Sequence, residues 1–299
     1  MSIKKRGGNI MFAKKTLIGA CIALLLLANY GTALARDIIM GLIPAENNEE
    51  MVAQFEPMRA YLEKKLGQKV KVFTATDYAG VIEGMKKKRV DIAWFGPLSY
   101  YLAEQEAGAE AFAVGVRDNG KSTYRSIFVV PGDSPAKSLK DLKGKSVAFV
   151  DPASTSGGLM PTYMVKKETG MMPEKFFGKF TYAGSHDAAE LAVKNKTVDA
   201  AADNDITYPK MLAKGLITKE SNRVLLESPD LPGSPLVYRG DLPVGMKNKI
   251  QDAIVSAHKK IKVTGYGNII RYDAVKPADY QMIRDMVKEL GLKKEQMLN

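Results

Sequence analysis

Apolar positions along this chain follow two periods in turn. Short runs rich in β-branched and aromatic residues, at 37–43, 70–73, 90–94, 126–130, 146–150, 180–183, 198–202 and 236–239, read as strands. Between them apolar residues recur every three or four positions. Met51, Phe55, Met58 and Leu62 are one such set, and the spacing predicts an amphipathic helix with a single buried stripe. Further helices are predicted over 78–85, 98–106 and 159–167, from Asp187, and near Tyr208. Strands alternating with helices in this way predict α/β lobes with mainly parallel sheets.

Two turn-rich breaks punctuate the pattern, Pro131-Gly132-Asp133-Ser134-Pro135 and Ser228-Pro229-Asp230-Leu231-Pro232-Gly233-Ser234-Pro235. The alternation restarts after the first. After the second come one strand and two helical stripes, Ile250, Ile254, Ala257 and Ile261, then Ile283, Met286 and Leu290. Helices without strands of their own cannot build a third α/β unit, so they are expected to pack back on the first. The expected organisation is 1–35 outside the fold, 36–130 in a first lobe, 131–234 in a second, and 235–299 returning to the first. Two crossings between lobes predict a clamp with a cleft.

The first 35 residues change the picture of where the protein works. Lys14 and Lys15 precede an apolar stretch over 17–27, and Ala33-Leu34-Ala35 has the small-x-small form of a cleavage site, so a secretory signal peptide and a periplasmic location are expected. The apolar stretch is too short for a stable membrane span. Ile18-Gly19-Ala20-Cys21 has the outline of a lipidation site, but most of the apolar stretch follows Cys21, so export without a lipid anchor is expected. Cys21 is the only cysteine of the 299 residues, and the exported part therefore relies on an ordinary core rather than disulfides. The formal charge is +11, of which Lys4, Lys5, Arg6, Lys14 and Lys15 supply five. The remaining excess is spread over runs such as Lys86-Lys87-Lys88-Arg89 without interleaved aromatics, which argues for solvated faces and against nucleic-acid binding.

The candidate chemistry lies in Asp151-Pro152-Ala153-Ser154-Thr155-Ser156-Gly157-Gly158, between a strand and a helix. Three hydroxyls and several unpaired backbone N–H groups meet at one helix start, a setting that favours an oxyanion. No Walker loop, His-Glu-x-x-His, spaced cysteine pair or Gly-x-Ser-x-Gly elbow is present, and Asp187 adjoins His186 instead of facing it as the third member of a triad. Catalysis, a metal and a cofactor are not expected.

Asp77-Tyr78-Ala79-Gly80, Val90-Asp91-Ile92-Ala93-Trp94-Phe95-Gly96-Pro97, the Asp151 to Gly157 element and Gly184-Ser185-His186-Asp187 occur in an order and spacing that resembles the phosphonate-binding subunits of ABC importers. The resemblance spans nearly the whole exported chain. It implies a type II periplasmic-binding-protein fold, with two α/β lobes that close on a small phosphorus oxyanion and present it to a membrane permease. It places the oxyanion cradle on Ser154, Thr155 and Ser156, with His186 from the next helix start and Tyr78 and Tyr124 from the opposite lobe. Relatives that bind aminoalkyl phosphonates hold the ammonium with two carboxylates. Here the first falls on Asp205, with Asp203 as the alternative, and the second position is Ser234, which weakens the case for a cationic tail. The expected ligand is a compact phosphonate or phosphite, the expected partner an ABC permease, and the expected state a monomer. Docking on a signalling receptor, or binding of another small oxyanion, is the alternative.

Overall fold

The computed structural model describes Met1 and residues 36–298. The leader read over 1–35, with its cleavage site and Cys21, otherwise lies outside the described residues. The chain first lays down β1 (Ile38–Leu42), α1 (Asn48–Leu66), β2 (Val70–Thr74), α2 (Tyr78–Lys86), β3 (Ile92–Trp94), α3 (Pro97–Ala107) and β4 (Glu110–Arg117). Helix α1 starts where the Asn47 side chain accepts from the amides of Glu49 and Glu50, and it stops at Gly67 in the left-handed conformation. Its stripe of Met51, Phe55, Met58 and Leu62 is fully buried, as the spacing predicts.

After β4 come β5 (Ser126–Pro131), β6 (Ser146–Phe149), a π-turn (Thr155–Leu159), α4 (Met160–Thr169), α5 (Pro173–Phe176), β7 (Lys179–Tyr182), α6 (His186–Lys194), β8 (Ala200–Asn204), α7 (Thr207–Ala213) and β9 (Asn222–Glu227). The chain ends with β10 (Pro235–Tyr238), α8 (Val244–Ser256), β11 (Ile269–Ala274), α9 (Gln281–Leu290) and α10 (Lys294–Leu298). Two sheets result. One has the order β11, β4, β10, β3, β1, β2, and the other β7, β6, β8, β5, β9.

The sheets are mixed rather than mainly parallel. Strand β1 pairs in parallel with β2 and β3, and β6 with β7 and β8. Each parallel core is extended by antiparallel strands, β10, β4 and β11 in the first sheet and β5 and β9 in the second. The crossings are the reason. Strands β10 and β5 enter from the other lobe without a helical crossover and are free to lie antiparallel, while β4 and β9, which follow a helix in their own lobe, keep the direction of the parallel core on the far side of them.

The first crossing also falls earlier than expected. Strand β5 pairs with β8 and β9, so 126–130 belongs to the second sheet and the chain changes lobe at 118–125, ahead of the Pro131 break. The return runs through 228–234, at the second break. The two connecting segments lie side by side: Leu231 N–H donates to the Tyr124 carbonyl at 2.7 Å, and Tyr124 N–H to that of Leu231 at 3.2 Å. Thr123 Oγ1 and Arg125 Nε both donate to Asp230. Gly233 permits this pairing, since a Cβ there would lie 1.9 Å from the Ser122 carbonyl oxygen.

Beneath the second sheet the core is aromatic, with Phe149 packed edge-on to Phe128 and Phe180. The C-terminal helix α9 touches elements of both lobes. Arg284 pairs with Glu104 of α3, while Glu289 accepts from Tyr163 of α4 at 3.0 Å.

Candidate anion-binding site

The lobes meet along a line of backbone and side-chain hydrogen bonds. His186 N–H donates to the Ala45 carbonyl at 2.9 Å, and Leu98 N–H, in the first turn of α3, donates to Thr155 Oγ1 at 2.8 Å. Asp151, after β6, accepts from the amide of Tyr78 at 3.4 Å. The clamp is in a closed arrangement.

Between these contacts lies a small, tightly walled cavity. Four helix starts turn toward it: α2 at Tyr78, α3 at Gly96, the π-turn at Ser154 and α6 at His186. Three of the four starts carry a local side-chain cap, and α3 opens on Pro97 instead. Asp77 caps α2 by accepting from Gly80 N–H at 2.7 Å, Ser154 caps the π-turn by accepting from Gly157 N–H at 3.1 Å, and Ser185 caps α6. Gly157 and Gly158 let the π-turn fold back onto its own strand. A Cβ at 157 would sit 2.3 Å from Val150, and one at 158 would sit 2.5 Å from the Asp151 carbonyl oxygen. A π-turn leaves backbone groups outside the regular ladder, where a ligand can use them.

Six of the residues expected from sequence line this cavity together: Tyr78, Tyr124, Ser154, Thr155, Ser156 and His186. All six are buried. The Tyr78 hydroxyl faces Ser154, and that of Tyr124 faces Thr155, Ser156 and Ser234. Burial pushes both phenols up, that of Tyr124 to about 12, so both remain neutral O–H groups. The Ser156 carbonyl is held by Ser126 Oγ at 2.6 Å, which ties the π-turn to β5.

Asp205 is the exception. Its carboxylate accepts from the Arg125 amide at 2.9 Å and pairs with Arg117 at 3.5 Å, and it is not among the residues lining the cavity. The position that faces the cavity is its neighbour Asn204. Its Oδ1 accepts from the amides of Ile206 and Thr207, fixing which end of the amide points inward. Asp203, the alternative, is fully buried behind His186, with its Oδ1 2.7 Å from His186 Nδ1.

Sequence reading missed Ile43, Ala45, Trp94, Gly96, Asn204 and Tyr266 as walls of the cavity. Trp94 and Gly96 stand in a motif already singled out, so their signal was present. Tyr266 had none, because it sits in a C-terminal stretch read only for helices. Ser234, noted as a missing acid, lines the cavity as a neutral hydroxyl.

Electrostatically the site is unusual in having no lysine or arginine among its lining residues. Its positive character comes from N–H and O–H dipoles. Burial lowers His186 to about 4, so the ring is neutral, and raises Asp151 to about 6.

Two α/β lobes joined by paired connecting segments, with helix starts from both converging on a buried cavity, define a type II periplasmic binding protein. The particular family follows from comparison with known proteins. A family described as "ABC transporter, phosphonate, periplasmic substrate-binding protein" matches residues 40–281, and the chain belongs to it. The phosphonates-binding periplasmic protein of Escherichia coli is 38% identical over 223 residues, which cover 73% of this chain and 65% of that protein. The crystal structure of a binding-protein component of an ABC phosphonate transporter from Pseudomonas aeruginosa superposes with a TM-score of 0.76 at 31% identity, covering 87% of each chain. A Prochlorococcus marinus protein solved in complex with methylphosphonate gives 0.75 at 26% identity, covering 85% of this chain and 98% of that one.

Proposed function

We propose that the chain captures a small phosphonate or reduced phosphorus oxyanion in this cleft and delivers it to an ABC importer, acting as an exported binding protein without catalytic chemistry. The observation that carries this is the convergence of four helix starts and seven hydroxyls on a cavity without a cationic side chain. Such an environment stabilises an anion through many partial charges and makes hydrogen bonding to each oxygen the basis of selection. Ser154, Thr155 and Ser156 donate to the oxyanion from the second lobe. Tyr78 and Tyr124 cover it from the first lobe and the hinge, and His186 completes the shell.

The ligand's substituent lies toward Trp94, Tyr266 and Ser234, where a small neighbouring space shares those walls and Tyr124. With Asp205 already paired to Arg117 and Ser234 neutral, an ammonium there would be buried without a counter-charge. A compact substituent, as in methylphosphonate or phosphite, fits this surface better than 2-aminoethyl. A thermal-shift panel of methylphosphonate, phosphite, 2-aminoethylphosphonate, phosphate and sulfate tests the reading, because a ligand of the native state raises the melting temperature. The expected order places methylphosphonate and phosphite first. No shift with any phosphorus compound would overturn it.

A further inference from the structure

His186 is backed by a line of buried polar groups that the capture of a ligand does not by itself require. Asp203 on β8 and Glu190 on α6 are both fully buried, as is Asn222 at the start of β9. Asn222 Nδ2 donates to Glu190 Oε2 at 2.6 Å and to the Glu190 carbonyl at 2.9 Å. The Glu190 carboxyl lies against that of Asp203, and Glu190 Oε1 and Asp203 Oδ2 are buried carboxyl oxygens without a hydrogen-bond partner among the described residues. Two acceptor oxygens in contact need a proton between them.

The far end of the line fixes where protons sit. Because Asn204 Oδ1 accepts from two backbone amides, its Nδ2 is the atom 3.0 Å from His186 Nδ1. An N–H facing Nδ1 requires Nδ1 to be an acceptor. Asp203 Oδ1, 2.7 Å from the same nitrogen, then has to be a donor, which only a protonated carboxyl supplies, and it shares the single Nδ1 lone pair with the longer Asn204 contact, whose other Nδ2 hydrogen goes to the Tyr266 hydroxyl at 2.9 Å.

We propose that Asp203 and Glu190 are both neutral acids and form a one-way relay, Asn222 to Glu190 to Asp203 to His186, that holds the imidazole as the Nε2–H tautomer and presents a neutral donor to the cavity. Glu190 and Asp203 are positioning residues: they act on the ligand through His186. The surroundings favour this arrangement. The charged groups facing the line are Glu46, from the loop after β1, Asp187 on α6 itself and Asp151 after β6. The nearest cation on that side, Lys210 of α7, is engaged by Glu46 and Glu50. Ionised Asp203 and Glu190 would add two negative charges to an acidic, dehydrated pocket beside an anion. Burial accordingly raises Asp203 to about 8 and Glu190 to about 10.

The relay stands on the protein's own hydrogen bonds; only its use on an oxyanion rests on the proposed function. The first test therefore needs no ligand. The chain has two histidines, and a His258→Gln variant leaves His186 alone in a long-range proton–nitrogen correlation spectrum. At pH 7 the expected spectrum shows an unprotonated Nδ1 and a protonated Nε2. The opposite tautomer, or an imidazolium, overturns the proposal whether or not the protein binds phosphonates. The second test compares methylphosphonate affinity of the native chain and of Asp203→Asn between pH 7 and pH 9, so that the ligand's own titration cancels. The native chain is expected to lose affinity relative to the variant by up to about tenfold per pH unit once the pair loses its first proton. Parallel pH profiles overturn the relay.

Discussion

At the scale of single residues, Thr155 latches the closed cleft. Its hydroxyl oxygen accepts from Leu98 N–H in the other lobe, which leaves its own hydrogen for the cavity. Thr155→Val keeps the shape but leaves a buried amide without its acceptor, so methylphosphonate binding is expected to weaken by about 1–3 kcal/mol with the lobes still folded. Calorimetry on the folded variant checks this, and unchanged affinity would remove Thr155 from the site. A second expectation concerns stability against pH. Asp203 and Glu190 hold their protons in the folded state to about 8 and 10, whereas in the unfolded chain they lose them near ~4. The folded state therefore binds more protons between these limits, and stability falls as pH rises. His186, lowered to about 4, acts in the opposite sense, but only below its ordinary value near ~6.5. Over pH 6.5 to 8 the acids act alone, so the melting temperature is expected to drop across that window. A flat or rising curve would contradict the assigned protonation.

Most of these residues were legible in the sequence because Ser154, Thr155, Ser156 and His186 each cap or follow a cap, and capping is a local property. Asp205 shows the limit of that reading. Whether the residue at 203, 204 or 205 faces the cleft depends on the strand register, which pairs Asp203 with Ile127 and Asn204 with Ser126. A slip of one position moves a side chain to the other face, and nothing local fixes it. Glu190 was invisible for a related reason. An acid on an amphipathic helix reads as solvated, and only β8 and Asn222 packing over it reveal the burial.

At the scale of elements, the strand-to-helix junction at the π-turn is built on close backbone approach. Gly158→Ala would drive a Cβ toward the Asp151 carbonyl, and the turn would shift. The expected result is a loss of roughly 1–3 kcal/mol of stability together with weakened binding, read by denaturant unfolding and by titration. Wild-type behaviour in both would show that the loop has slack. The elements missed from sequence share one cause. Strand β4 is buried across Ala111, Phe112, Ala113 and Val114, so it shows no alternation, and it follows α3 after only Gly108 and Ala109. Strand β11 carries Arg271 and Asp273, paired with each other, which breaks the apolar run. These two strands and β9, missed as well, join their sheets through antiparallel pairing with distant segments, a tertiary property.

At the scale of the molecule, the two connecting segments form a paired ribbon that a hinge motion bends without tearing, while the lobe-to-lobe contacts at Ala45, Asp151 and Thr155 are the ones that opening breaks. Ligand binding is expected to shift an open-to-closed equilibrium, seen in solution scattering as a smaller radius of gyration with methylphosphonate. Identical curves would mean that the clamp is rigid or already closed. The lobe plan was readable from the two turn-rich breaks, although the first break lies one strand beyond the true crossing. The composition of the cavity, dipoles without a cation and neutral walls at Asn204 and Ser234, is what makes the claim of a compact phosphorus oxyanion specific. Titration calorimetry of methylphosphonate, with 2-aminoethylphosphonate and sulfate measured alongside, tests that claim most directly. Saturable one-to-one binding of methylphosphonate, tighter than either of the others, is the expected result; no binding of methylphosphonate, or tighter binding of 2-aminoethylphosphonate or sulfate, would contradict it.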